Sequence, residues 1–276
     1  MLSYAVGDWS DAYTNTIHIA GGERWPQQWV EPARAYRESL QRQGRARLDL
    51  AYGPASRNRL DLFLPQGKPR GLMVFVHGGF WMALDNSYWS HLAAGAVDNG
   101  FAVAMPSYTL CPEIRLTGIV GEIAAAIAFA AGEIDGPVFL SGHSAGGHLV
   151  TRMMCAHSPL PAQVRKRVRR VLSLSGLHDL RPLLRIPYNE TMQIDEAEAF
   201  SQSPALLEPA EGLDLICWVG AAERAEFVRQ NALLANIWIG LGASTCEVME
   251  PDLHHYNVID GLADKNHAMT RALLFG

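Results

Sequence analysis

The chain is poor in the features that mark several large protein classes. Four cysteines occur in 276 residues, none of them in a C-x-x-C pair, and there is no H-E-x-x-H, so neither a thiolate zinc site nor a metalloprotease helix is encoded. Cys111, Cys155, Cys217 and Cys246 are scattered, three of them inside or beside apolar segments. They read as buried reduced thiols, with Cys111 expected to be partly exposed near a site. His143 and His148 are five apart, a poor spacing for one helical face, and no metal set forms among the ten histidines. No metal and no cofactor are expected.

Charge is also scarce. Charged residues make up 18% of the chain and the net charge is −5, which gives no footprint for a nucleic-acid partner. The one basic run, Arg165-Lys166-Arg167-Val168-Arg169-Arg170, precedes the apolar Val171-Leu172-Ser173-Leu174 and reads as a solvated helix end or a gatekeeper before a hydrophobic strand. No stretch of about 18 uninterrupted apolar residues occurs, and Met1 to Asp8 lack the basic and apolar regions of a secretory leader. A cytoplasmic protein without a membrane partner is expected. A small-molecule substrate is the expected partner, and a homodimer is compatible with these features. Internal repeats and low-complexity tracts are missing.

What is present is apolar sequence, 49% of the chain, enough for one large core. Arg47-Leu48-Asp49-Leu50 and Leu60-Asp61-Leu62-Phe63-Leu64 alternate apolar and polar residues around Gly53-Pro54 and predict an antiparallel edge hairpin. Continuous apolar runs near 72–77, 101–105, 138–141, 171–175, 215–220 and 244–249 predict buried parallel strands. Helical patterns lie between them, as around 116–131, where Ile119, Ile123 and Ile127 share one face as core. This alternation requires an α/β fold: about eight strands in a mostly parallel sheet with helices on both faces. One domain, 1–276, is expected, with an N-terminal extension over 1–44 that includes a helix near 28–43. The irregular segment 181–209, with four prolines and an acidic stretch at Asp195-Glu196-Ala197-Glu198, is expected to form a small cap over the site.

The chemistry is concentrated at a few turns. Pro137-Val138-Phe139-Leu140 runs into Gly142-His143-Ser144-Ala145-Gly146, a G-x-S-x-G nucleophile elbow in which Ser144 is lifted clear of the sheet. Upstream, Leu72-Met73-Val74-Phe75-Val76 runs into His77-Gly78-Gly79-Phe80-Trp81, an oxyanion loop. Acyl transfer puts negative charge on the former carbonyl oxygen, and the amides of Gly79, Phe80 and Ala145 are the expected donors. His77 heads a different loop from the serine and is read as a brace. Downstream, Leu215-Ile216-Cys217-Trp218-Val219-Gly220 leads to Glu223, and Thr245-Cys246-Glu247-Val248-Met249 leads to His254-His255-Tyr256. The order serine, acid, histidine is the one α/β-hydrolases use, and it differs from both unrelated serine-protease orders. Glu223 is favoured as the acid because it lies nearest a strand end; Glu226 remains the alternative and Asp252 reads as a turn residue. Spacing alone leaves His254 and His255 open.

His77-Gly78-Gly79-Phe80-Trp81, Gly142 to His148, Leu174-Ser175-Gly176-Leu177-His178-Asp179-Leu180, Ser203-Pro204, Gly220 to Gln230 and His255-Tyr256 together resemble the esterase/lipase branch of the α/β-hydrolases that contains the kynurenine formamidases, or arylformamidases. The likeness spans roughly residues 45 to 275. It implies that the catalytic imidazole directly precedes an aromatic residue, so His255 before Tyr256 is the match. Many members carry Asp where this chain has Glu223. The resemblance also implies hydrolysis of N-formyl-L-kynurenine to kynurenine and formate in tryptophan catabolism. Phe80 and Trp81 are the expected substrate contacts, while Tyr88 and Trp89 read as core. The alternatives are a general small-acyl carboxylesterase or thioesterase, and a non-catalytic binding protein on the same fold.

Overall fold

The computed structural model describes residues 5–276; residues 1–4, where the stretch read above for a leader begins, lie outside them. The chain starts with helices α1 (Trp9–Tyr13) and α2 (Trp25–Arg42), followed by strands β1 (Ala46–Ala51), β2 (Arg59–Phe63) and β3 (Leu72–Val76). Alternation then sets in: α3 (Ala94–Asp98), β4 (Ala102–Pro106), α4 (Leu116–Glu133), β5 (Val138–His143), α5 (Ala145–Arg152), α6 (Ala162–Arg165) and β6 (Val168–Leu174). After two short helices, α7 (Asn189–Met192) and α8 (Glu196–Ser201), come β7 (Asp214–Gly220), α9 (Ala225–Gly240), β8 (Ser244–Glu250) and α10 (Ala268–Phe275).

The strands form one eight-stranded sheet in the order β1-β2-β4-β3-β5-β6-β7-β8. β2 pairs antiparallel with both β1 and β4, and the pairings from β4 through β8 are parallel. Because successive side chains leave a strand on opposite faces, β3 sends Leu72, Val74 and Val76 into one apolar layer and Met73 and Phe75 into the other. The first layer is closed by α4, α5 and α9, the second by α2, α3 and α10. Ile119, Ile123 and Ile127 of α4 are fully buried, as their spacing predicts. α4 is long and apolar enough in isolation to cross a bilayer, yet half of it is buried in the protein, as in a core helix.

Three sequence expectations are corrected. β8 is an edge strand, not a buried one: Ser244, Cys246, Glu247 and Met249 are exposed, because β8 is last in the sheet order and pairs with β7 alone among the described strands. Cys111 is buried, and it is Cys246 that is exposed. The basic run is structural as well as solvated. Arg167 donates to the carbonyls of Ala131, Ile134 and Gly136, satisfying orphan acceptors at the C-terminus of α4, and Arg170 joins Asp214 on β7 to the Ala272 carbonyl of α10.

Gly121 and Gly146 are opposite cases. Gly121 lies mid-helix on the exposed side of α4, where an added Cβ meets nothing within 4 Å, so Gly121→Ala should raise stability by about 0.5–1 kcal/mol. A Cβ on Gly146 would sit 2.0 Å from the Val76 carbonyl oxygen; Gly146→Ala should cost several-fold more than Gly121→Ala gains. Thermal unfolding of the two variants reads both signs.

Candidate active site

Ser144 follows β5 with φ +56° and ψ −117°, a conformation that costs a non-glycine residue about 1–3 kcal/mol. The neighbourhood holds it there. The Ser144 N–H donates to the Leu174 carbonyl on β6 at 2.8 Å, and its own carbonyl accepts from His148 at 3.2 Å, starting α5. His143, one residue earlier, is buried and donates from Nε2 to the His255 carbonyl at 2.8 Å.

The loop after β3 comes close to this turn. Gly79 has φ +108°, and a Cβ there would meet the Ala83 carbonyl oxygen at 2.4 Å; only glycine fits. Among the described residues the N–H groups of Gly79 and Phe80 donate to no protein acceptor, and both residues line the same cavity as Ser144. Ala145 opens α5, where helix N–H groups have no partner in a preceding turn. His77 is the brace the sequence suggests: Nδ1 donates to the Gly78 carbonyl at 2.7 Å, and the ring stacks between Trp89 and Tyr108. Trp81 departs from expectation. It is fully buried, packs edge-on against His148 with centroids 5.1 Å apart, and does not line the cavity. Trp89, expected only in the core, is buried and lines the cavity as well.

Between the two candidate acids the geometry separates cleanly. Glu223 Oε2 lies 2.6 Å from His255 Nδ1, while Oε1 accepts from the Gly220 N–H at 2.9 Å and from the Ser175 hydroxyl at 2.5 Å. A carboxylate only accepts, so Nδ1 carries the hydrogen and the neutral ring keeps Nε2 free to take a proton. Phe227 and His143 flank that ring at centroid distances of 4.4 and 4.6 Å. Glu226 is committed elsewhere, to Arg229 and to the Tyr13 hydroxyl at 2.8 Å. His254 packs against Trp25, and Asp252 sits in an exposed turn with φ +61°. Ser175 belongs to a motif noted in the sequence, but its contact with Glu223 required the two strand ends to be seen side by side.

Ser144 and His255 open on a cavity of about 210 Å³. Its walls are mainly apolar, with Trp29, Phe80, Met82, Leu84 and Trp89 among them. The segment 181–209 contributes Tyr188, whose ring meets Phe80 at 5.2 Å. Most of that segment is packed down onto the body: Glu198 binds Arg115 and Thr117, and Leu183, Met192 and Ile194 enter the core. The N-terminal extension supplies Tyr13, Asn15, Thr16, Pro26 and Trp29, a larger share of the wall than the sequence implied. Among the described residues no group of His, Cys, Asp and Glu is arranged to hold a metal ion.

A serine and a carboxylate-held histidine at the carboxyl ends of the strands of this sheet define a hydrolase of the α/β-hydrolase fold, of the serine type. The BD-FAE family model matches residues 60–204, and the chain belongs to that family. It is 27% identical over 285 residues to the kynurenine formamidase of Danio rerio, a match that covers 99% of this chain and 94% of the fish protein. A solved structure from Silicibacter sp. TM1040, described as a "putative thioesterase", superposes with a TM-score of 0.92 at 46% identity, over 98% of this chain and 99% of that one. An esterase from Pyrobaculum calidifontis shares the fold at a TM-score of 0.71 and 15% identity, over 91% of this chain and 89% of that one.

Four buried histidines around the site titrate low. Desolvation holds His77 and His148 down to about 4 and His178 to about 3, and burial, with His255 adjacent, keeps His143 well below its ordinary value. The unfolded chain takes up these protons near pH 6.5 and the folded chain does not. Their contribution is therefore complete above pH 6.5 and is lost as pH falls toward 4 and below. The melting temperature should fall steadily from pH 6.5 to pH 4, and His148→Gln should flatten that slope.

Proposed function

We propose that the protein is a serine hydrolase that removes a small acyl group from an aryl amide or ester, with N-formyl-L-kynurenine as its substrate and formate and kynurenine as products. The observation that carries this reading is His255, held by Glu223, opening on the same cavity as Ser144. His255 takes the Ser144 proton as Oγ attacks the carbonyl carbon, and Glu223 steadies the resulting imidazolium. The amides of Gly79, Phe80 and Ala145 receive the oxyanion. His255 then protonates the departing aryl amine, and water, deprotonated by the same imidazole, releases the acyl group. An aryl amine leaves more readily than an alkyl amine, which suits an esterase-like site to an anilide. Phe80 and Trp89 give the cavity aromatic wall surface suited to an aryl group.

The near full-length likeness to a kynurenine formamidase supports the amide substrate. The 46% identical structure supports a second reading, hydrolysis of a small-acyl thioester. Either way the enzyme acts on a small molecule and needs no cofactor. We place it in the cytoplasm, in keeping with its four free cysteines.

Comparison of kcat/KM on N-formyl-L-kynurenine, p-nitrophenyl acetate and acetyl-coenzyme A distinguishes the readings: the formyl amide should be preferred, and turnover confined to the thioester would reject the formamidase. Ser144→Ala should lose at least about a thousandfold in kcat on the preferred substrate. Glu223→Gln should lose about a hundredfold or more, whereas Glu226→Gln should cost far less, since Glu226 does not reach the imidazole.

A further inference from the structure

Several hydroxyl groups of the cavity are engaged with protein partners. The Tyr13 hydroxyl donates to Glu226 and accepts from Gln230 Nε2 at 3.2 Å, and the hydroxyls of Thr16 and Tyr256 bind one another. Tyr188 is 39% exposed and stands at the mouth. Asn15 is different. It is 7% exposed and lines the cavity, yet its side-chain amide has no hydrogen bond to any described residue and does not cap the turn that follows it. A side-chain amide on the cavity wall that no described residue engages is available to a ligand seated there.

Its position is also fixed with unusual care. On one side, Tyr13 is tied to Glu226, three residues from Glu223, and Asp11 pairs with Arg224. On the other, Thr16 is tied to Tyr256, the neighbour of His255. Asn15 is thus held between two anchors, one in the first turn of α9 just after Glu223 and one on the loop that carries His255. No Lys, Arg, Asp or Glu lines the cavity among the described residues, so a charged or strongly polar substituent on a substrate finds no ionic partner there. The primary amide offers both a donor and an acceptor.

We infer that Asn15 is a specificity-determining residue that binds the polar side arm of the aryl substrate, accepting from its ammonium through Oδ1 and donating to its carboxylate or ketone oxygen through Nδ2. The assignment rests on the formamidase reading above and extends it to the leaving group. The test pairs two substrates that share the scissile bond, N-formyl-L-kynurenine and formanilide, which lacks the side arm, across wild type and Asn15→Leu. Asn15→Leu should lower kcat/KM on N-formyl-L-kynurenine about tenfold or more, chiefly through KM, and leave formanilide within about twofold. Retained formanilide turnover shows that the variant folds; if Leu is not accommodated, Asn15→Ala makes the same comparison. Equal losses on both substrates, or none on either, would overturn the role of Asn15 alone. Failure of the wild type to cleave either anilide would overturn the formamidase reading and this assignment together.

Discussion

The arrangement of the site depends on one buried carboxylate. The side chains of Glu223 and His255 are 0% and 5% exposed, and a charge removed from water to that degree persists only where its oxygens are saturated with donors. The chain provides them from three strand ends: the Gly220 N–H from β7, the Ser175 hydroxyl from β6 and the imidazole from the loop after β8. Ser175 reaches its position with φ +51°, its own N–H fixed to the Trp218 carbonyl. The His255 carbonyl is in turn pinned by His143, the residue beside Ser144. A single ion therefore sets the spacing of the elbow, the acid loop and the histidine loop, and removing any donor leaves charge uncompensated in the interior.

Around that ion the protein keeps four buried histidines uncharged. His77, His143 and His148 each donate to a backbone carbonyl, and His178 lies between the hydroxyls of Ser173 and Thr151. Neutral imidazoles bring no charge into the interior, and they satisfy the carbonyls of Gly78, His255 and Gln202. The elbow strain is held in the same way, by hydrogen bonds from neighbouring strands. The site is thus rigid through polar contacts within an apolar body, and the N-terminal extension completes it by closing one wall of the cavity.

Much of this was legible in the sequence because it is locally encoded. A buried parallel strand must be apolar throughout, so β3, β4, β5 and β7 announced themselves, and a serine between glycines after such a strand has few other uses. Nearness to a strand end was enough to prefer Glu223 over Glu226. What stayed hidden depends on partners distant in the chain. Trp81 sits in the motif beside Phe80, yet positive φ at both residues breaks the alternation by which a reader would assign their faces. The exposure of β8 follows from the number of strands rather than from its residues, and the carbonyls that occupy Arg167 lie more than thirty positions away. Asn15 carries no local signal at all, since its place on the cavity wall is set by contacts of Tyr13 and Thr16 with residues more than two hundred positions away.

The free edges of the sheet carry a final consequence. An outermost strand presents unpaired amides to any extended chain that approaches, which invites growth of the sheet from molecule to molecule. β1 meets this with Arg47 and Asp49, and with a register shift between Arg47 and Leu50 that bends the strand. β8 meets it with Glu247 and Glu250, two like charges that an identical strand would have to approach. Repulsion and irregularity thus stand at both margins of the large apolar sheet that supports the chemistry, where an identical edge would otherwise find open amides.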